Sequence, residues 1–483
     1  LIEENKEMKN IGKMLTALAL FALILSGCAP AATPTAAPAA PATSAPTAPA
    51  TSAPAAPATS APAAPATSAP VATLGPAHLV VWWWGEQEAP GAQKWMDETV
   101  KDYEALHPNV TIETVLQSTD SLIPAFTSAA AAKSGPDIQY FWGGTYTLEP
   151  AWQGALIPIN NLIPADELSH YINNWERTYN GQQWGIGWYL SGLPMFFNPK
   201  MFTKAGLDPA NPPQTWDQLI AACGKLKAIG VVPISGGLKD AWFGGWLFTD
   251  LAREDHDSYT QFIQAVVGNA KFTDPTFASW WTALGQLKDA GCWNTDIGSI
   301  DYQQGQDMFT QGKAAMTFGN DTFTAGIAKT LGWDSMDVMI VPKFASGKLA
   351  DTYAVTAQGW GITSWSKYPQ QDADFLMYMH TKDRLAAWWA DTGVLPADDR
   401  LDPSLITQPL QQKIFKWDST ISGPELENFI PDMLDNDANM TGAQLLFSGN
   451  DTPAQLAQLS EATIEKWRSQ NPDMLNNFLI WSK

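Results

Sequence analysis

The chain has 483 residues, of which 49 are acidic and 28 basic, giving a formal net charge of −21 that disfavours nucleic acid and anionic membrane surfaces as partners. Only 16% of residues are charged, so the acidity is spread thinly rather than gathered in a tail.

Lys9 and Lys13 precede an apolar run from Leu15 to Leu25, which is too short to span a bilayer, where about 20 apolar residues are needed. The run ends in Ala-Leu-Ile-Leu-Ser-Gly-Cys at 22–28. This looks like a bacterial lipoprotein signal, with Cys28 the cleavage and lipidation point and Met8 the natural start. Acyl chains on Cys28 would anchor the protein durably, at about 0.8 kcal/mol per buried methylene. From Ala29 to Pro76 there is no charged and no aromatic residue, and Ala-Pro-Ala-Thr-Ser-Ala-Pro recurs at 40–46 and 56–62. Such a segment has nothing to bury. It reads as an extended linker with a reach on the order of 100 Å.

Residues 77–483 form the head. His78–Trp84 is an apolar strand broken by Gly85, and Trp95, Met96, Val100, Tyr103 and Leu106 recur at helical spacing over 91–106. His107-Pro108 stops that helix. A strand at 110–116, a helix at 121–133 and a strand at 137–141 follow. Strand, helix, strand, helix, strand implies a parallel α/β layer, whose strand ends are where ligands bind. Further strands are expected at 195–197, 233–234, 314–318, 338–341 and 361–363. Helices are expected at 215–227, where Thr215 is an N-cap, through much of 242–292, and at 303–310, 370–391 and 451–470. No linker composition interrupts the head.

Two cysteines besides Cys28 remain, Cys223 and Cys292. An oxidising exterior permits them to pair, and the sequence leaves a disulfide and two free thiols both open. The head is also rich in tryptophan, with 23 in the chain, including Trp82-Trp83-Trp84, Trp242 with Trp246, Trp280-Trp281 and Trp388-Trp389. Any one of them is most simply a core residue, but the excess suits flat platforms for carbohydrate rings.

Several ordered segments resemble the family 1 extracellular solute-binding proteins of ABC importers, the group containing maltose-binding protein. They are Tyr103-Glu-Ala-Leu-His-Pro-Asn-Val110, Gly135-Pro-Asp-Ile138, Phe197-Asn-Pro-Lys-Met-Phe202, Gly206-Leu207, Pro213-Gln-Thr-Trp-Asp-Gln-Leu219, Phe309-Thr-Gln-Gly-Lys-Ala-Ala-Met316, Ala373-Asp-Phe-Leu-Met-Tyr378 and Thr392-Gly-Val-Leu-Pro396. The resemblance implies a two-lobed α/β periplasmic-binding-protein-like fold (type II) with hinge strands and a ligand cleft between the lobes. Lobe 1 would comprise about 77–188 and 343–396 and lobe 2 about 189–342, with helices of 397–483 over both. It further implies a monomer that binds a carbohydrate, closes by a hinge motion and delivers its ligand to permease transmembrane subunits.

Candidate ligand-binding residues follow the strands that would face such a cleft. Lobe 1 offers Trp84, Gly85 and Glu86, then Trp142, Gly143, Gly144 and Thr145, and later Gln358, Gly359 and Trp360. Tyr189 sits at the hinge. Lobe 2 offers Trp242, Phe243 and Trp246, with Asn320 and Asp321 where many relatives carry Gly-x-Trp. A carboxylate beside stacked aromatics accepts two hydroxyl hydrogen bonds at once, and glycines let backbone N–H groups approach a ligand.

The rival readings are a secreted glycoside hydrolase, a surface adhesin or scaffold, or a receptor for a peptide or polyamine. A hydrolase needs two carboxylates held about 5–10 Å apart, whereas acid pairs such as Glu86/Glu88 and Asp398/Asp399 have the spacing of surface decoration. There is no Gly-x-Ser-x-Gly and no His-Glu-x-x-His, and the five histidines lack metal-ligand spacing. Asp435-x-Asp437-x-Asn439 faintly echoes a calcium loop but lacks its glycine and its final glutamate, and reads as a solvated turn. No catalytic residue, metal or cofactor is expected.

Overall fold

The computed structural model describes residues 74–483; the signal-like segment, Cys28 and the linker up to residue 73 lie outside the described residues. Nine main strands follow in chain order. The first five are β1 (Ala77–Trp83), β2 (Val110–Leu116), β3 (Ile138–Phe141), β4 (Ile186–Gly192) and β5 (Met195–Phe197). The others are β6 (Val232–Ser235), β7 (Ala314–Phe318), β8 (Asp337–Met339) and β9 (Tyr353–Ile362).

Pleating sends Leu79, Val81 and Trp83 of β1 fully into the interior while their neighbours stay wetter. β2 and β3 flank β1 in parallel, joined through helices α1 (Ala92–Leu106) and α2 (Thr119–Ala132), as the alternation of elements requires. The sheet then changes direction. β9 runs antiparallel to β3, and β4 runs antiparallel to β9. With the short strand Ser422–Gly423 lying parallel beside the start of β9, this six-stranded sheet is the centre of lobe 1.

Lobe 2 holds a second sheet, in which β5 lies between β8 and β7 and β6 pairs in parallel outside β7. The chain crosses from one lobe to the other between Gly192 and Met195 and returns between Met339 and Tyr353. Leu190, Phe196, Val355, Leu395 and Ile414 form a hydrophobic cluster at these crossings. In lobe 2, helix α4 (Trp216–Ala228) starts at Thr215, whose hydroxyl accepts from the Gln218 amide while the Gln218 side chain returns the bond. Cys223 of α4 is disulfide-bonded to Cys292, with both residues fully buried.

The last segments complete lobe 2. Leu446, Leu456, Ile464, Trp467 and Phe478 pack into the same core as Trp280 and Trp281. The final helix (Pro472–Trp481) also reaches lobe 1, where Trp152 meets Phe478 and Trp481 and Tyr179 Oη donates to Asn477 Oδ1 at 2.8 Å. Among the described residues no helix is long and apolar enough to cross a membrane.

Two expectations change. The helix expected over 370–391 is two helices, Pro369–Met379 and Lys382–Thr392, separated at His380-Thr381. The segment read as a solvated turn is a π-helical stretch, Asp435–Met440, with Asp435, Ala438 and Asn439 buried.

Candidate functional site

The loop after β1 carries the first group of candidates. The Trp84 indole N–H donates to Thr119 Oγ1 at 3.0 Å, and its ring meets Trp142 edge-on with centroids 5.7 Å apart. Gly85 has φ 138°, and a Cβ there would lie 3.1 Å from the Tyr189 hydroxyl, so no other residue fits easily. Glu86 turns to the start of α1, where its carboxylate accepts from the amides of Gly91 (3.1 Å) and Gln93 (2.6 Å). That carboxylate is spent on free helix amides and the positive end of the helix dipole.

Glu88, two residues on, enters the junction of the lobes. It is 4% exposed. Its Oε1 accepts from Asn320 Nδ2 at 2.7 Å and from Ser191 Oγ at 3.2 Å, and its Oε2 lies 2.9 Å from the Tyr189 hydroxyl. Asn320 Nδ2 also donates to Ser191 Oγ at 2.5 Å. The Tyr189 hydroxyl lies equally 2.9 Å from Gln358 Oε1, so its one proton is shared between two acceptors, and Tyr140 donates to the same Gln358 oxygen. Lobe 1 loop, hinge strands and lobe 2 are thus joined through one buried polar network. Burial pushes the Glu88 carboxyl up to about 7, despite hydrogen bonds from Tyr189, Ser191 and Gln358 that favour its ionised form.

On the lobe 2 side, helix α5 (Phe243–Ala252) starts beside Trp242. Trp242 and Trp246 lie one helical turn apart, half-buried, with ring centroids 4.9 Å apart. Both rest on Tyr302, at 4.9 and 5.2 Å. Phe243 also meets Tyr302, at 5.2 Å, but is fully buried in the lobe 2 core. In lobe 1, half-buried Trp142 and Tyr146 pack edge to face at 5.2 Å, Tyr146 standing on helix α3 (Thr145–Trp152).

The stretch 143–145 abuts the segment after residue 425. Gly144 has φ 51° and sits against the Asn428 carbonyl, where a Cβ would collide, while Thr145 Oγ1 donates to the Ile430 carbonyl at 3.1 Å. A group of acids accompanies this contact. Asp432 lies by the Tyr146 hydroxyl. Glu427 Oε2 and Asp435 Oδ2 both rest against Gly245 of α5 and have no hydrogen-bond partner. Asn439 Nδ2 donates to the other Asp435 oxygen at 3.2 Å. Burial first, then the charge of Asp432, pushes the Asp435 carboxyl up to about 7 against that hydrogen bond.

The remaining candidates are held by the frame. Trp360 is fully buried in the lobe 1 core against Trp188, with centroids 4.8 Å apart. Gly359 lets β9 lie directly against the Ile186 carbonyl. Asp321 ties the crossings together, accepting from the Gly192 amide at 3.0 Å and the Tyr353 hydroxyl at 2.7 Å. Tyr189, Asn320 and Gln358 therefore meet in the buried network, and Trp84, Trp142, Trp242 and Trp246 supply aromatic surface near the junction. Glu86, Phe243, Gly359, Trp360 and Asp321 serve the fold. Sequence reasoning missed Glu88, Tyr146, Glu427 and Asp435. Glu88 carried a signal as the partner of Glu86 in an acid pair, and Asp435 as the first residue of the Asp435-x-Asp437-x-Asn439 motif read as a solvated turn. Among the described residues no group of three or more potential ligands is placed to hold a metal ion.

The geometry matches known proteins. Four-fifths of the chain superimposes on a structure titled as a chitin oligosaccharide binding protein, with a TM-score of 0.72, 22% identity and 98% of that chain covered. A structure from work on xylan utilization by Caldanaerobius polysaccharolyticus gives 0.71 at 21% identity, covering 80% of this chain and 99% of that one. The GacH receptor of Streptomyces glaucescens, studied with acarbose, gives 0.65 at 18% identity, covering 82% and 99%. By sequence, a binding protein of Brucella abortus (strain 2308) is 22% identical over 315 residues, 63% of this chain and 72% of its own length. The sn-glycerol-3-phosphate-binding periplasmic protein UgpB of Yersinia pestis bv. Antiqua (strain Antiqua) is 27% identical over 209 residues, 42% of this chain and 46% of its own. The profile of one family matches residues 98–409, well over half of the chain. A two-lobed α/β head with a polar and aromatic junction is thereby assigned: the chain belongs to the bacterial extracellular solute-binding protein family.

Proposed function

We propose that this solute-binding protein takes a carbohydrate between its lobes and hands it to the transmembrane subunits of an ABC importer, working as a monomer held to the membrane through acyl chains on Cys28. The observation that carries the reading is a half-buried aromatic pair in each lobe, Trp142 with Tyr146 in lobe 1 and Trp242 with Trp246 in lobe 2. Half-buried rings on both sides of the junction suit the apolar faces of a sugar ring. The structural relatives named for chitin oligosaccharide and acarbose support the same ligand class. The role is binding without turnover, as in those relatives, and candidate ligand contacts beyond the aromatic pairs include Trp84, Gly143, Gly144 and Thr145.

The test is calorimetric titration of the purified protein with a panel of mono- and oligosaccharides. A sugar is expected to bind, with Trp242→Ala weakening it about tenfold, close to 1.4 kcal/mol. Stabilisation by peptides or polyamines and by no sugar would refute the carbohydrate assignment. Release of reducing sugar from an oligosaccharide would refute the non-catalytic one.

A further inference from the structure

Five carboxylates gather about the segment 425–435, which touches both helix α3 of lobe 1 and α5 of lobe 2: Glu149, Glu425, Glu427, Asp432 and Asp435. Among the described residues none of them is in a salt bridge, and the charges that act on them are all from carboxylates: one another's and those of Glu176, Glu88 and Asp250. Two buried arginines each have an acid neighbour and also keep guanidinium N–H groups without a partner. Arg177 faces Glu176 and donates to the Ala357 carbonyl, and Arg253 lies 4.0 Å from Asp250 and donates to the Thr352 carbonyl. Burying like charges together is costly, and the cost is relieved either by proton uptake, towards which burial pushes all five carboxyls, or by a group of opposite sign.

The arrangement also has a direction. Asp435 is 1% exposed, yet its Oδ2 has no partner, and it converges with the unpartnered Oε2 of Glu427 on Gly245. Gly245 is the residue immediately before Trp246 and three after Trp242, so the two free oxygens lie at the foot of the aromatic wall. Carboxylates beside indole faces are the surroundings that an ammonium group prefers, through charge-assisted hydrogen bonds and cation–π attraction. A phosphate or a uronate placed there would meet a cluster of acids.

Resting on the carbohydrate reading above, we infer that the preferred ligand is an amine-bearing sugar, its ammonium seated between Glu427 and Asp435, and that phosphorylated and uronic sugars are rejected. The test compares matched ligands on the full protein by calorimetry at pH 7: a glucosamine trisaccharide, its N-acetylated counterpart, the corresponding glucose trisaccharide, a glucuronate oligomer, glycerol 3-phosphate and spermidine. The free amine is expected to bind about tenfold or more tighter than either neutral trisaccharide, with a preference that shrinks as salt is raised and no detectable binding of the anions. In Glu427→Gln the preference should fall to within about threefold while the neutral sugar still binds, which also shows that the variant is folded. Neutral sugars binding more tightly than the amine, an anionic ligand binding comparably, or an amine preference unchanged in Glu427→Gln would overturn the inference and leave the carbohydrate reading standing. Binding of spermidine and of no sugar would overturn both.

Discussion

Replacing Glu88 by glutamine tests the buried network at the junction of the lobes. The folded-state carboxyl lies at about 7 against an ordinary 4.5, because burial outweighs the hydrogen bonds that reach it. At about 1.36 kcal/mol per pH unit, the ionised form costs the folded protein about 3 kcal/mol. The sign follows from proton binding: between these values the folded state holds the proton more tightly than the unfolded state. Stability due to this group is therefore greatest below about pH 4.5, declines as pH rises, and levels off above about 7. Glutamine keeps the shape and an acceptor oxygen for Asn320 Nδ2 but does not ionise. The measurable quantity is the difference in unfolding free energy between Glu88→Gln and wild type, from urea melts at pH 4.5 to 8. It should move in favour of the variant by about 3 kcal/mol across that range. Stability curves that stay parallel would refute the reasoning, since other buried acids act equally on both proteins.

Two further outcomes are expected. Reducing the Cys223–Cys292 disulfide, which spans 69 residues, should lower unfolding free energy by about 4 kcal/mol on the loop-closure account, read from urea melts with and without reductant. Arg400→Ala should cost about 3 kcal/mol at pH 7, because it strips a buried carboxylate of its main partner. Burial alone would raise the Asp398 carboxyl, but hydrogen bonds from Arg400 and His380 outweigh it and hold the group at about 2. That contribution is present above about pH 4 and lost on acidification towards 2, so the variant's acid limb should be flatter there.

The edge strand β2 was legible because it has a wet and a dry side. β5 and β7 are wholly buried, and were legible as short apolar runs bounded by turn signals. The long central strands of lobe 1 were not. Every residue of β4 and β9 is buried, so neither alternates, and Ser191, Thr356 and Gln358 interrupt the apolar run; only the end of β9 was visible. The break at His380-Thr381 was hidden because the apolar period runs through it. At the site, the aromatic residues after β1, β3 and β6 could be placed because strand ends are readable. Glu88 could not be separated from Glu86, since its role depends on Tyr189 and Asn320, which lie 101 and 232 residues away. Asp435 had the composition of a turn, and only tertiary packing buries it.

The position of β9 has a consequence for how the molecule is built. It is the strand that joins β3 to β4, yet the whole of the lobe 2 sheet is synthesised before it. Until Ile362 has been made, β3 lacks one neighbour and β4 lacks its main-chain partner, so neither lobe corresponds to one contiguous stretch of chain. Non-local pairing of this kind slows folding and leaves strand edges open meanwhile. Severing the chain between Gly192 and Met195 should therefore yield two fragments that need each other to fold, rather than two working halves.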